Sequence, residues 1–190
     1  MGDLVESPLE SAPSAPTNFI CSPSLAAFQL SQRAYLDAHP EFTEIVVGAF
    51  VFNPDGKLLL VQRAAHDSLP LLWEVPGGSC DWEDESLLHA AARELWEESG
   101  LHAKSIVTLV GEGSRFFVRE DLRMCKYSFL TEVEGYDVKL DPNEHQAYVW
   151  VTEDEARRGK TSSGVEFTYT SKEQQLEVYE AFRLKKGGQP

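Results

Sequence analysis

The sequence predicts a domain of the α/β or α+β class, and three observations lead there. Apolar, β-branched runs of strand length alternate along the 190 residues with segments of helical period, so strands and helices interleave. A chain of this length buries roughly 70% of its unfolded surface in one core. Its three cysteines, Cys21, Cys80 and Cys125, are odd in number and widely spaced, giving neither a disulfide framework nor a zinc-ligand spacing. Packing alone therefore has to hold the fold.

Residues 1–18, rich in Ser, Pro and Ala and without hydrophobic period, read as a flexible tail. Residues 19–41 read as an accessory helix: Leu25, Phe28 and Tyr35 recur at roughly helical spacing between Pro23 and His39, and Pro40 ends the run. The main domain is expected over 42–184, with a short tail over 185–190. It opens with the strand Glu44–Phe52, the turn residues Asn53-Pro54-Asp55-Gly56 and a second apolar run, Lys57–Gln62, which together read as a hairpin. Leu71–Val75 is a short strand cut by Pro76-Gly77-Gly78. Ser86–Ser99 has the strongest helical pattern, with Leu88, Ala91, Ala92 and Leu95 as its buried stripe and Gly100 placed to cap it. Further strands are expected at Ile106–Val110, Arg115–Val118, Met124–Thr131 and Ala147–Val151. Thr152 to Glu155 has capping-box spacing and starts a short helix towards Arg158. Ser171 to Gln174 repeats that signature before a terminal helix whose Leu176, Tyr179 and Phe182 are expected to pack inward.

Charge narrows the function. Seventeen Lys and Arg stand against 31 Asp and Glu, a net −14, so a long nucleic acid is repelled. A small anionic substrate binds such a protein only through intervening cations. The most apolar stretch, Ile45–Phe52, falls far short of the ~20 residues of a membrane helix. The N-terminal residues carry early acids and lack the pattern of a secretory signal, so an intracellular, cytoplasmic protein is expected.

The informative segment is Arg93-Glu94-Leu95-Trp96-Glu97-Glu98-Ser99-Gly100-Leu101. On a helix, Glu94, Glu97 and Glu98 share one sector of about 100° beside the apolar stripe. Like charges at these spacings destabilise even an exposed helix by about 0.2–0.5 kcal/mol per pair. They also sit in the last turns, where the helix dipole disfavours negative charge. A hard divalent cation removes both penalties, because Mg²⁺ takes oxygen ligands and shares them with substrate phosphates. Glu94 and Glu98, one turn apart, are the first expected ligands and Glu97 the third. Arg93 can orient a neighbouring carboxylate with its planar fork.

These residues resemble the box of the Nudix hydrolases, G-x5-E-x7-R-E-U-x-E-E-x-G-U with U aliphatic. Glu85, Arg93, Glu94, Leu95, Glu97, Glu98, Gly100 and Leu101 stand in register. The first position departs: Ser79 falls where the glycine belongs and the glycine is Gly78, as if one residue were inserted before Glu85. The resemblance, which covers about Glu44 to Phe182, implies an α/β/α sandwich around a mixed sheet. It implies hydrolysis of a nucleoside diphosphate linked to another moiety, catalysed by Arg93, Glu94, Glu97 and Glu98, with Mg²⁺ or Mn²⁺ required and homodimerisation allowed. Glu85 is expected to support Arg93 or an outer-shell water. Glu144, just before the Ala147 strand, is the candidate general base by position in the family, and an exposed loop acid by ordinary expectation. ADP-ribose, dinucleoside polyphosphates, oxidised nucleoside triphosphates, coenzyme A and nucleotide sugars all fit such an enzyme.

Other candidates carry less. His66, His89, His102 and His145 have no partner spacing and are expected in loops or on the surface; Asp81, Glu83 and Asp84 are expected to be solvated. Cys80 has no histidine arranged with it. Phe50, Phe52, Phe117 and Tyr127 could stack on a base, although strand aromatics are usually core. Arg63 and Arg115 could meet phosphate or pair with acids. Two competing readings remain: a non-catalytic nucleotide-sensing module, which normally goes with eroded glutamates, and a diphosphate isomerase, which needs a catalytic cysteine.

Overall fold

The computed structural model describes residues 18–119 and 122–187. The expected N-terminal tail thus lies almost wholly outside the described residues. Two sheets form the centre. One has the order β1 (Ile20–Cys21), β5 (Ala103–Arg119), β6 (Leu122–Val133), β2 (Glu44–Val51); β5 and β6 are antiparallel, and the outer pairings are parallel. The other is antiparallel, with β3 (Leu58–Arg63) between β4 (Trp73–Glu74) and β7 (His145–Val151). Helix α2 (Leu87–Ser99) packs on one side of these strands, and α4 (Lys172–Gly187) on the other. Helix α1 (Gln32–Ala38) and α3 (Glu153–Arg158) complete the chain. No helix among the described residues is long and apolar enough to cross a membrane.

The expected hairpin is corrected. β2 and β3 are joined by the Asn53–Gly56 turn, but they meet only at the bridge Phe52–Leu58 and belong to different sheets. The reason lies in their composition. Each strand is buried on both faces: Ala49 and Val51 with Leu59 and Val61 face α2, while Phe50 with Leu58 and Leu60 faces α4. Continuous apolar runs suit the middle of a layered fold better than a two-stranded ribbon with one wet face.

The accessory helix is also corrected, into a short strand, a 3-10 turn at Pro23–Phe28 and the separate helix α1. Ser22 and Ser31 each cap a new start, so the run is broken at Gln29 and Leu30. Buried Gln32 then ties the segment down: its amide donates to Cys80 O (2.8 Å) and accepts from Ile45 N–H (3.0 Å). The two strands expected around Gly111 and Gly113 are one 17-residue strand, irregular between Val110 and Ser114, where both glycines take positive φ. Lys185 to Gly187 extend α4 rather than forming a tail. Phe182 of α4 is buried and Tyr179 packs against the core as expected, but Leu176 is exposed, and Gln174, Glu177, Val178 and Ala181 complete the inward face.

Helix α2 follows its sequence closely. Ser86 accepts from the His89 N–H, Gly100 closes the helix in the left-handed conformation, and Leu88, Ala91, Ala92 and Leu95 are all buried. Leu95 is wholly enclosed among Ala49, Val51, Leu59 and Leu101. Leu95→Ala is therefore expected to cost about 2–5 kcal/mol of unfolding free energy in urea titration. A loss below about 1 kcal/mol would contradict this packing.

Candidate active site

The site begins with the Pro76–Cys80 loop, which carries the chain from one sheet to the other. Ala49 N–H donates to Pro76 O (2.8 Å), Val47 N–H to Gly78 O (2.8 Å) and Cys80 N–H to Ile45 O (3.0 Å), so the loop is fastened along β2. Downstream, Asp81 N–H donates to Asp84 Oδ2 (2.8 Å) in a tight turn. Gly77 and Gly78 are both dictated by contact. A Cβ on Gly77 would lie 2.1 Å from Val47 O, and one on Gly78 would lie 2.7–3.0 Å from the Glu94 carboxylate.

Against these glycines α2 presents Glu94 and Glu98, buried to 9% and 4% exposure, while Glu97 is exposed. Gly77 N–H donates to Glu98 Oε2 (2.6 Å). Arg93 is the clamp. Its Nη1 donates to Glu94 (2.8 Å) and Glu97 (2.9 Å), its Nη2 to Ser79 O (3.0 Å), and its Nε and Nη2 grip Asp84 (3.0 and 2.9 Å). Glu85 does not reach Arg93 as expected: that side chain is exposed and lies near His89 (3.5 Å), whereas the Asp84 carboxylate, expected to be solvated, is the one buried against Arg93.

Glu144 and His145 enter from the start of β7. Ligand atoms of Glu98, Glu144 and His145 lie within 4.8 Å of one another. Exposed Glu144 stands at the mouth of a cavity of about 360 Å³ that also contains Glu94, Glu98 and the glycine loop. The expected surface or loop placement of His145 is corrected, because its ring is only 2% exposed. Nε2 is 3.5 Å from Glu74 Oε1 and Nδ1 is 4.0 Å from Glu98 Oε1, and neither nitrogen has a hydrogen-bond partner among the described residues. Glu74 is itself paired with Arg63, which also holds Asp67 (2.6 Å).

The electrostatics follow from this crowding. Burial pushes Glu94 up to about 7 against the pull of Arg93, with Glu97 and Glu144 adding to the rise. Burial raises Glu98 well above the ordinary range; the Gly77 N–H opposes that shift, and the charges of Glu74 and Glu94 reinforce it. For Arg93, burial disfavours the charge, but Asp84 and Glu94 outweigh it and the pKa rises. Two costly carboxylates, a third beside them and an imidazole with orphaned nitrogens make a donor set that fits a divalent cation. Glu98, Glu144 and His145 form its nearest group, Glu94 lines the same cavity, and Glu97, expected as a third ligand, shares Arg93 Nη1 with Glu94.

The remaining candidates separate cleanly. Phe50, Phe52 and Tyr127 are core residues, Tyr127 bonded to Tyr35 (2.9 Å), and Phe117 is exposed. Arg115 lies over the Phe42 ring. His66 Nε2 bonds Asn143 O (2.9 Å), and His89 Nδ1 bonds Ser86 Oγ (2.8 Å). Buried Cys80 has its thiol pKa raised by burial, as suits an inert core group. The sequence reading missed His145, Asp84 and Glu74; the one signal for His145 was its place directly after Glu144 at the start of a strand.

Comparison with known proteins agrees with this geometry. The chain is 38% identical over 112 residues to the CTP pyrophosphohydrolase of Escherichia coli (strain K12), covering 59% of this chain and 78% of that protein. It is 31% identical over 109 residues to the 8-oxo-dGDP phosphatase NUDT18 of Danio rerio, covering 55% of this chain but only 31% of the relative's own length. Among solved structures it is similar to a MutT protein from Methanosarcina mazei Go1, with a TM-score of 0.58 and 27% identity, covering 75% and 94% of the two chains. Residues 43–169 match the model of the NUDIX domain, and with that span containing both the glycine loop and the glutamate helix, the chain belongs to the Nudix family of hydrolases acting on nucleotide derivatives.

Proposed function

We propose that the protein is a pyrophosphohydrolase that cleaves the diphosphate linkage of a nucleoside diphosphate derivative, with Mg²⁺ as its working ion and Mn²⁺ as a substitute. The observation that carries this reading is the pair Glu94 and Glu98, buried side by side against Gly77 and Gly78 in one cavity with Glu144 and His145. The relatives' names, a CTP pyrophosphohydrolase and an 8-oxo-dGDP phosphatase, support the substrate class.

Glu98, Glu144 and His145 are the residues to hold the cation, with Glu94 beside them. When bound, it supplies a Lewis acid for the phosphoryl oxygens and makes nearby water more acidic. The chain's own part is positioning. Gly77 N–H fixes one oxygen of Glu98, and Arg93 fixes Glu94 through the same fork that anchors the loop at Ser79 and Asp84. Glu144, open to solvent at the cavity mouth, accepts the proton of the attacking water and passes it to bulk. The diagnostic experiment incubates the protein with a panel of nucleoside diphosphate derivatives and Mg²⁺ and follows phosphorus products. Cleavage of at least one member, abolished by EDTA, is expected; tight binding without turnover would make the protein a sensor.

Metal also has a stability signature. In EDTA, Glu94 and Glu98 have native pKa values above the ~4.3 of an unfolded glutamate, so their contribution is fully present below that pH and lost as pH rises. The loss from Glu94 runs from that pH up to its folded value of about 7. The metal-free Tm is thus expected to fall between pH 5.5 and 8, and the Tm gain from millimolar Mg²⁺ to be larger at pH 8 than at pH 6. Equal gains at the two pH values in thermal scans would count against these ligands.

A further inference from the structure

Beside the catalytic cavity, and sharing Arg63, Gly77, Gly78 and Ser79 with it, lies a second cavity of about 580 Å³. Its polar groups come from β3, β4, β5, β6 and α4. Glu177, 6% exposed, accepts from Ser114 Oγ (2.7 Å) on one oxygen and Ser128 Oγ (3.0 Å) on the other. Lys126 Nζ donates to Gln174 Oε1 (2.9 Å), which fixes the amide orientation. Gln174 is 3% exposed, and its Nε2 has no acceptor among the described residues. Phe116 and Met124 supply apolar lining.

From this arrangement we infer that the second cavity holds the nucleobase of the substrate and selects bases bearing an exocyclic amino group, with Glu177 accepting from that amino group and Gln174 Nε2 donating to an acceptor on the same edge. The inference rests on the hydrolase reading for its substrate and deepens it to a base class. A carboxylate accepts about four hydrogen bonds, so Glu177 has lone pairs left after two serines. A buried amide donor without a partner costs free energy that a ligand acceptor recovers. The mixture of one acceptor, one unfilled donor and apolar lining matches a planar heterocycle. Three acids, Glu74, Glu173 and Glu177, and three cations, Arg63, Arg115 and Lys126, line the cavity, so its charge is balanced rather than set for a polyanion. Uracil and thymine place a carbonyl where cytosine and adenine carry an amino group, and a carboxylate repels it.

The test compares kcat/KM for CTP, ATP and GTP with UTP and dTTP, in the native protein and in Glu177→Gln. The native enzyme is expected to favour at least one amino-bearing nucleotide over UTP by at least about tenfold, and Glu177→Gln to reduce that ratio to under about threefold, because an amide nitrogen can donate to a carbonyl. A second arm needs no turnover: calorimetric titration of CMP, AMP, GMP and UMP in EDTA should show the same preference and its loss in Glu177→Gln. Gln174→Met, which keeps the volume and removes the donor, is expected to weaken the favoured monophosphate at least about fivefold and serves if Glu177→Gln fails to fold. Hydrolysis without base preference, or a preference unmoved by the variants, overturns the inference and leaves the hydrolase reading standing. Base-selective binding lost in the variants, with no hydrolysis of any nucleotide, does the reverse.

Discussion

Glu98→Gln is expected to lower turnover by about 100–1000-fold while leaving the protein folded. The substitution is isosteric in a position 4% exposed, so no cavity or overlap arises. One oxygen of the side chain accepts from Gly77 N–H, and the amide retains an oxygen for that bond. Its NH₂ group must then face Glu144 and His145, where the carboxylate had offered an acceptor and a charge. The change therefore removes one of the proposed cation ligands and replaces it with a donor. Folding responds in the opposite sense. Burial and the neighbouring charges of Glu74 and Glu94 disfavour the ionised Glu98, so neutralising it stabilises the metal-free protein at pH 7 and above. A large loss of kcat at saturating Mg²⁺ together with an equal or higher Tm in EDTA is the expected pair of results. Turnover within tenfold of the native protein would remove Glu98 from the site.

How much of this was legible in the sequence divides along range. Helix α2, its serine cap, its glycine stop and the capping box at Thr152 depend on residues a few positions apart, and the structure reproduces them. Gly78 and the buried pair Glu94 and Glu98 were legible for the same reason, since spacing on one helix and one loop fixes them. What failed depended on partners distant in sequence. The Asn53–Gly56 turn was read correctly, but which sheet each flanking run joins is decided by the two helices that cover them. Leu176 obeys the helical period and is exposed, because Gln174 and Glu177 reach Lys126, Ser114 and Ser128 across the fold and claim the inner face. Asp84, not Glu85, meets Arg93, and the turn in which Asp81 N–H bonds Asp84 is a detail that box spacing does not report. His145 was invisible because its significance lies in Glu74 and Glu98, 71 and 47 positions earlier by subtraction of residue numbers. A histidine gains a role through what surrounds it.

Gly78→Ala is expected to cost about 100-fold in kcat without unfolding the protein, since a misplacement of about 1 Å in a positioned group has that effect. The argument turns on which atoms the new methyl meets. At Gly78 all three nearest atoms belong to the Glu94 carboxylate, at 2.7–3.0 Å, and the backbone there is not in the left-handed region. The end of a side chain can give way, so the chain folds, but Glu94 is pushed off its place and its bond from Arg93 Nη1 lengthens. At Gly77 the same methyl meets Val47 O at 2.1 Å and the φ of +156° adds strain, so Gly77→Ala should lower Tm sharply and lose activity with the fold. The adjacent glycines thus separate placement from stability. Compensation makes the reading specific: in Gly78→Ala, changing Glu94 to aspartate withdraws the carboxylate by one methylene and should recover part of the lost kcat, although Glu94→Asp alone lowers it. Unaltered turnover in Gly78→Ala, with Tm unchanged, would show that the chemistry does not depend on where this loop holds Glu94.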